Sequence, residues 1–138
     1  MIVSDAGFAP EDWSFGFVPL EALAGADAAS AQAVDVPSDS DAGELAARLG
    51  ALDLIRLDFP SSANGRGFTI ASRLRAMGYQ GRLRAAGHVL ADQYAMARRV
   101  GFDEVEISEE LAQRQPEDQW RCRAQDWRDH DYQSRLRA

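Results

Sequence analysis

The sequence predicts an α/β fold: repeated βα units forming a roughly four-stranded parallel sheet with helices on one face, like half of a (β/α)8 barrel. Three observations carry this. Gly50, Gly78 and Gly101 each close a helical pattern ending on an apolar residue (Leu49, Met77, Val100), where glycine relieves the left-handed position after a helix. A strand-like segment follows each glycine within a few residues, and that rhythm favours parallel strands joined by right-handed crossovers. Within the strands apolar and charged residues alternate, which argues against a sheet covered by helices on both faces.

Taken in order, residues 1–32 read as an N-terminal arm carrying Trp13, Phe15, Phe17 and Val18, then an alanine-rich linker or weak helix without clear period. Residues 33–115 hold the repeats. These are strand Ala33–Val36 with helix Ser38–Leu49, Leu52–Phe59 with Gly67–Met77, Arg82–Ala86 with Val89–Val100, and Glu104–Ile107 with a weaker helix beyond. Ser38 is a sensible helix start because Asp39, Asp41 and Glu44 complement the positive end of the helix dipole. One parity of the strands collects Val34, Val36, Ile55, Leu57, Phe59, Leu83, Ala85, Val105 and Ile107. The other collects Asp35, Arg56, Asp58, Arg82, Arg84, Glu104 and Glu106. Helices therefore belong on the first side and a charge ladder on the second, in a curved half-barrel or in a flat two-layer sheet whose charged face is solvated or covered by a partner. Residues 116–138 form an arginine- and tryptophan-rich tail.

Charge and composition narrow the chemistry. The 138 residues carry a net charge of -7, and all fifteen basic residues are arginine. Without lysine there is no Schiff base and no P-loop. The single Cys122 excludes an internal disulfide, a four-cysteine iron–sulfur cluster and a zinc ribbon. His88 and His130 lack the spaced partners of a metal site, so no metal or cofactor is expected. No apolar run is long enough for a membrane span and no basic segment precedes an apolar one at the start, so the expectation is a cytoplasmic protein. The charge is partitioned: residues 1–55 carry -9, residues 56–101 carry +6 and residues 102–138 carry -4. Nucleic acid gains little support from an acidic chain whose arginines are interspersed with acids.

The cationic middle holds the candidate site. Asn64-Gly65-Arg66-Gly67 leaves the C-terminal end of a strand for a helix, where glycines admit a ligand close to the backbone, helix N–H groups are unpaired and an arginine fork suits an oxyanion. It is no dinucleotide fingerprint, since Ile70 stands where a third glycine or alanine belongs. A plain βα turn with a solvated arginine is the alternative. The next such connection places His88 at the same end of the sheet, as an acid, base or anion contact, or as a surface histidine. On the charged face Arg84 is either part of a salt-bridge ladder or is aimed at an anion or partner. In both cases it requires a carboxylate such as Asp58 or Glu104. Arg56 supports it, and Asp92 and Gln93, in the first turns of the following helix, read as structural hydrogen-bonding groups. In the tail Trp120, Ala124 and Trp127 share one helix face, with Arg128 beside them. The pairing of tryptophan and arginine fits a docking surface, or the tail folds back over the chain's own sheet.

The strings Leu57-Asp-Phe-Pro60, Asn64-Gly-Arg-Gly67, Gly78-Tyr-Gln-Gly-Arg-Leu-Arg-Ala-Ala-Gly87, Val89-Leu-Ala-Asp-Gln93 and Arg99-Val-Gly-Phe-Asp103 together resemble a bacterial family of unknown function. That family is encoded beside sulfite reductase genes and labelled a probable oxidoreductase involved in sulfite reduction. The likeness runs from about Val34 to Ile107 and departs from the family pattern at Asn64 and His88, where an acid is expected. It implies an accessory protein of assimilatory sulfite reduction, with sulfite reductase or its electron donor as partner and a sulfur oxyanion as a fitting ligand. Two other readings stand beside it. One is a small enzyme or sensor binding a sulfur or phosphate oxyanion in a partial-barrel site. The other is a homodimer built through the polar sheet face.

Overall fold

A chain that alternates apolar and charged residues along parallel strands must bury one side under helices and neutralise the other. The computed structural model describes residues 1–22 and 32–137 and does both within one seven-stranded open sheet. Its strands are β1 (Ile2–Ser4), β2 (Gly7–Ala9), β3 (Val18–Pro19), β4 (Ala33–Val36), β5 (Leu54–Phe59), β6 (Arg82–Gly87) and β7 (Glu104–Glu106). They lie in the order β2-β1-β7-β6-β5-β4-β3. From β3 to β7 neighbours are parallel and follow chain order, whereas β1 pairs antiparallel with both β2 and β7.

The sheet is thus larger than the four strands expected, and partly antiparallel. The additional strands come from residues 1–19, read from sequence as an arm. Two- and three-residue strands carry too little alternation to register as a period, and β1 is instead secured by reciprocal backbone bonds between Met1 and Ile107, 3.0 and 2.9 Å long. Pro10–Phe17 then carries the chain from β2 at one edge of the sheet to β3 at the other. Residues 23–31, most of the alanine-rich linker, lie outside the described residues.

Helices α1 (Arg66–Ala76), α2 (Tyr94–Val100), α3 (Glu109–Arg114) and α4 (Glu117–Arg137) follow β5, β6 and β7. The apolar strand parity forms one buried cluster with Ile70, Ala71 and Leu74 of α1, Tyr94 and Ala97 of α2, and Trp120 and Ala124 of α4. Both α1 and α2 end in the same pair of backbone bonds: Gly78 N–H to Arg75 O with Tyr79 N–H to Leu74 O, and Gly101 N–H to Arg98 O with Phe102 N–H to Ala97 O. Each geometry requires a left-handed residue, supplied by Gly78 (φ 100°) and Gly101 (φ 119°).

Gly50 does not play that part. The helix expected over Ser38–Leu49 is a 3₁₀ helix, Ala42–Ala51, capped by the Asp41 side chain, which accepts from Gly43 N–H at 2.9 Å. Gly43 weakens an α-helix here, and Ala42 and Leu45 are the residues that the tighter spiral adds to the core. The helix expected over Val89–Val100 likewise starts as a 3₁₀ turn, Ala91–Gln93, and becomes α-helical at Tyr94.

Candidate functional site

On the side of the sheet away from the helices, register brings β5, β6 and β7 charges level: Arg56 opposes Arg84, and Arg84 opposes Glu104. Two arginines abreast are tolerated only if acids are threaded between them. Glu104 bridges Arg82 and Arg84, accepting from Arg82 Nε at 2.9 Å and from Arg84 Nε at 2.7 Å. Glu106 bridges the next gap, accepting from Arg84 Nη1 at 2.8 Å and from Arg56 Nη1 at 3.2 Å. Asp35 of β4 ends the row with a two-pronged grip on Arg56, which raises the pKa of that guanidinium. Arg84 is wholly buried.

The arm seals this lattice. Glu11 grips Arg84 with both oxygens, accepting from Nη1 at 2.6 Å and from Nη2 at 2.9 Å. Asp12 takes Arg82 Nη2 at 2.9 Å, and the Phe17 ring lies 3.7 Å from the Arg56 guanidinium carbon, a stacked cation–π contact. Above them Trp13 meets Phe15 edge-on with centroids 5.2 Å apart and donates from Nε1 to Gly16 O at 2.8 Å. Phe15 itself points to solvent, 72% exposed. Arg84 therefore has the Glu104 partner its burial demands, with Glu106 and Glu11 besides. Four of its N–H groups are committed to carboxylates of its own chain.

Partial burial pushes the Glu11 carboxyl upward, but its bonds from Arg84 and from Trp13 N–H outweigh this and hold it at about 2, against an ordinary 4.5. A carboxyl depressed on folding stabilises the arm fully above its unfolded pKa and loses that contribution as pH falls through the folded one. The Trp13 indole N–H resonance should accordingly keep its shift from neutral pH down to about 5 and move only between about 4.5 and 2. In Glu11→Gln it should stand at the displaced position already at neutral pH. A wild-type transition near pH 7 would contradict the latch.

At the C-terminal ends of β4, β5 and β6 lies a cleft of about 620 Å³ lined by Leu20, Asp35, Arg56, Asp58, Gly87 and Glu106, with Glu21 and Glu44 also on its wall. Ligands of open α/β sheets bind at this end, yet here the lining is acidic. The sequence-predicted cations lie elsewhere. Arg66 is exposed in the first turn of α1 and His88 is exposed after β6. Neither lines that cleft.

The loop between β5 and α1 has clear structural duties. Asn64 accepts from Arg66 N–H at 3.0 Å and donates to Ser38 Oγ at 3.3 Å. A Cβ on Gly67 would stand 2.4 Å from the Phe59 ring, so glycine there serves packing, while Gly65 has open space around it. Gln93 ties the same loop down, donating to Ser62 O at 2.8 Å and accepting from Leu90 N–H at 2.9 Å. Asp92 accepts from Arg123 of α4 at 2.9 Å. The structure thus brings together Arg56, Arg84 and Glu104, keeps Asp58 in the cleft, and leaves Asn64, Arg66 and His88 out of both.

As a docking element the tail requires correction. Trp120 is 1% exposed, packs edge-on against Tyr94 at 6.1 Å and donates from Nε1 to Gln115 O at 2.9 Å, so α4 folds onto α2 and Trp120 is core. Trp127 is half-buried beneath Arg98, 5.4 Å away. Exposed Arg128 bonds Gln125 at 3.0 Å. The residues missed from sequence are Glu11, Asp12 and Phe17. No local spacing marks them, and the two acids reach the face from 70 and more positions away in the chain.

Among the described residues no helix is long and apolar enough to cross a membrane, and no three His, Cys, Asp or Glu side chains converge to hold a metal ion. A family model described as a bacterial protein of unknown function (DUF934) matches residues 33–138, beginning at the first residue of β4. It therefore takes in the β5–β7 lattice and leaves out the arm. No curated protein and no solved structure matches the chain.

Proposed function

The chain belongs to a bacterial family of unknown function, and we propose that it is a cytoplasmic accessory protein of assimilatory sulfite reduction that works through protein contacts. The sulfite setting, the oxidoreductase label and a partner in sulfite reductase or its electron donor rest on the resemblance of the motif strings. Support for the mode of action comes from the arm. A 72% exposed phenylalanine, braced by Trp13 above an ionic lattice, has the geometry of an aromatic anchor presented to another protein. We read the consecutive parallel strands β3–β7 as half of a (β/α)8 arrangement, with the arm across its charged side.

In cells grown on sulfate as sole sulfur source, the tagged chain should co-purify with sulfite reductase polypeptides, quantified by mass spectrometry. Phe15→Ser should lower that recovery at least about tenfold, the scale of a 1.4 kcal/mol anchor. No enrichment with the wild-type chain, together with normal growth on sulfate after deletion, would sink the proposal.

A second reading, binding of a small sulfur or phosphate oxyanion, is favoured by one feature. Arg66 opens α1 exposed, in a first turn that holds no acid. That reading confines the anion to Asn64–Gly67 and His88, since Arg84 is committed to carboxylates. Calorimetric titration with sulfite, sulfate and phosphate tests it, and heat unaltered by Arg66→Ala would dismiss it.

A further inference from the structure

We infer that the arginine face is a docking surface for an acidic, aromatic protein segment, filled in cis by residues 10–17 and open in trans to a partner segment of the same chemistry. This rests on the proposal above that the chain works through protein contacts, names the partner's recognition element and its regulation, and does not use the Phe15 anchor, which the arm presents only while seated.

The face without the arm is already balanced, because Arg56, Arg82 and Arg84 stand among Asp35, Glu104 and Glu106. Glu11 and Asp12 are therefore guests on it. They take Arg84 Nη2, which no lattice acid engages, and share Arg84 Nη1 with Glu106 and Arg82 Nη2 with Glu104. Phe17 uses the flat side of Arg56. Two carboxylates followed by an aromatic ring is thus the chemistry the face accepts, and fork-shaped arginine donors make it selective for carboxylates.

The guest is held loosely in kind. Among the described residues no backbone–backbone hydrogen bond ties 10–17 to the rest of the chain. Its contacts are side-chain ion pairs whose acids keep solvent contact, 40% exposed for Glu11 and 64% for Asp12, so added salt weakens them. At its C-terminal end the arm is anchored by β3, two residues paired with β4 as Val18↔Val34 and Pro19↔Asp35, the natural place for release to begin. The face belongs to the part of the chain that the family model covers, and the guest does not.

A tethered occupant competes at an effective concentration of order millimolar, so a trans segment binds the intact chain with an affinity reduced by the fraction of time the arm is open. The test uses a fluorescein-labelled peptide with the sequence of residues 9–18, followed by anisotropy at low ionic strength against the full chain. Binding to Glu11→Gln/Asp12→Asn should be at least about tenfold tighter than to wild type. It should weaken with added salt, vanish for a peptide whose two acids are amides, and fall when Arg82→Gln is added to the double variant. Circular dichroism and thermal unfolding establish that each variant is folded. Equal affinity for wild type and double variant, or none for a folded double variant, would overturn the inference. Peptide exchange without sulfite reductase recovery removes only the setting, whereas recovery without peptide exchange removes the displaceable arm.

Discussion

Arg84→Met is expected to destabilise the chain by about 3–5 kcal/mol in urea unfolding, because it breaks a buried charge network from the inside. The side chain is fully buried and touches Glu11, Glu104 and Glu106. Removing it leaves Glu104 to Arg82, leaves Glu106 to Arg56, and strips Glu11 of its ion-pair partner. The two covered glutamates thereby each lose a short charge-assisted bond and an adjacent positive charge, a loss that exceeds what the original pairs contributed. The size of the loss thus measures what is left behind. Arg84→Met/Glu104→Leu, which withdraws the most buried acid together with its base, should recover at least half of the deficit, since replacing a whole buried pair by apolar groups is often neutral. Arg66→Ala, at an exposed position, should stay within about 0.5 kcal/mol of wild type. If Arg84→Met costs no more than Arg66→Ala, the lattice is not a structural element and the arm is not latched to it.

The residues of this lattice show what a sequence discloses and what it withholds. Alternation along β4–β7 was legible because two-residue periodicity is a local property, and it correctly assigns every one of Val34, Ile55, Leu83 and Val105 to the helix-facing core. The need of a buried Arg84 for carboxylates was legible as well, from the cost of an unpaired charge. Which carboxylates, and how many, was not. Glu11 reaches Arg84 from 73 positions away, across a segment whose own strands are too short to show a period.

The same limit applies to the acidic cleft. Its wall draws on Glu21, Glu44, Asp58 and Glu106, which no spacing rule associates, while the stretch that is cationic in sequence spends Arg82 and Arg84 on neighbouring acids. A regional charge of +6 over residues 56–101 therefore overstates that stretch's free cationic surface, which keeps Arg66, Arg73 and Arg99 exposed but not the lattice arginines. In the tail, helical spacing placed Trp120 and Trp127 on one face, but only packing decides whether that face meets a partner or the chain itself.

That decision has a measurable consequence. Trp120→Ala should cost about 3–5 kcal/mol, the usual penalty for emptying a large aromatic site in a core. It removes the edge-on contact with Tyr94 and the bond to Gln115 O. It also loosens the point where α4 reaches the far edge of the sheet, for Glu117 accepts from Phe8 N–H at 2.7 Å and Arg121 donates to Ala6 O at 3.3 Å. Hydrogen exchange in Trp120→Ala should accordingly rise first in the early turns of α4 and in β2, with the amides of β5 and β6 protected longest. Trp127→Ala, half-buried and engaged by the Arg98 guanidinium, should cost only about 0.5–1 kcal/mol, the value of a partly exposed cation–π contact with little cavity left behind. A docking tail would invert this order, with Trp120→Ala neutral in stability and damaging only to partner recovery. Denaturation midpoints and hydrogen exchange on the two variants distinguish a helix that completes the core from one held out to a partner.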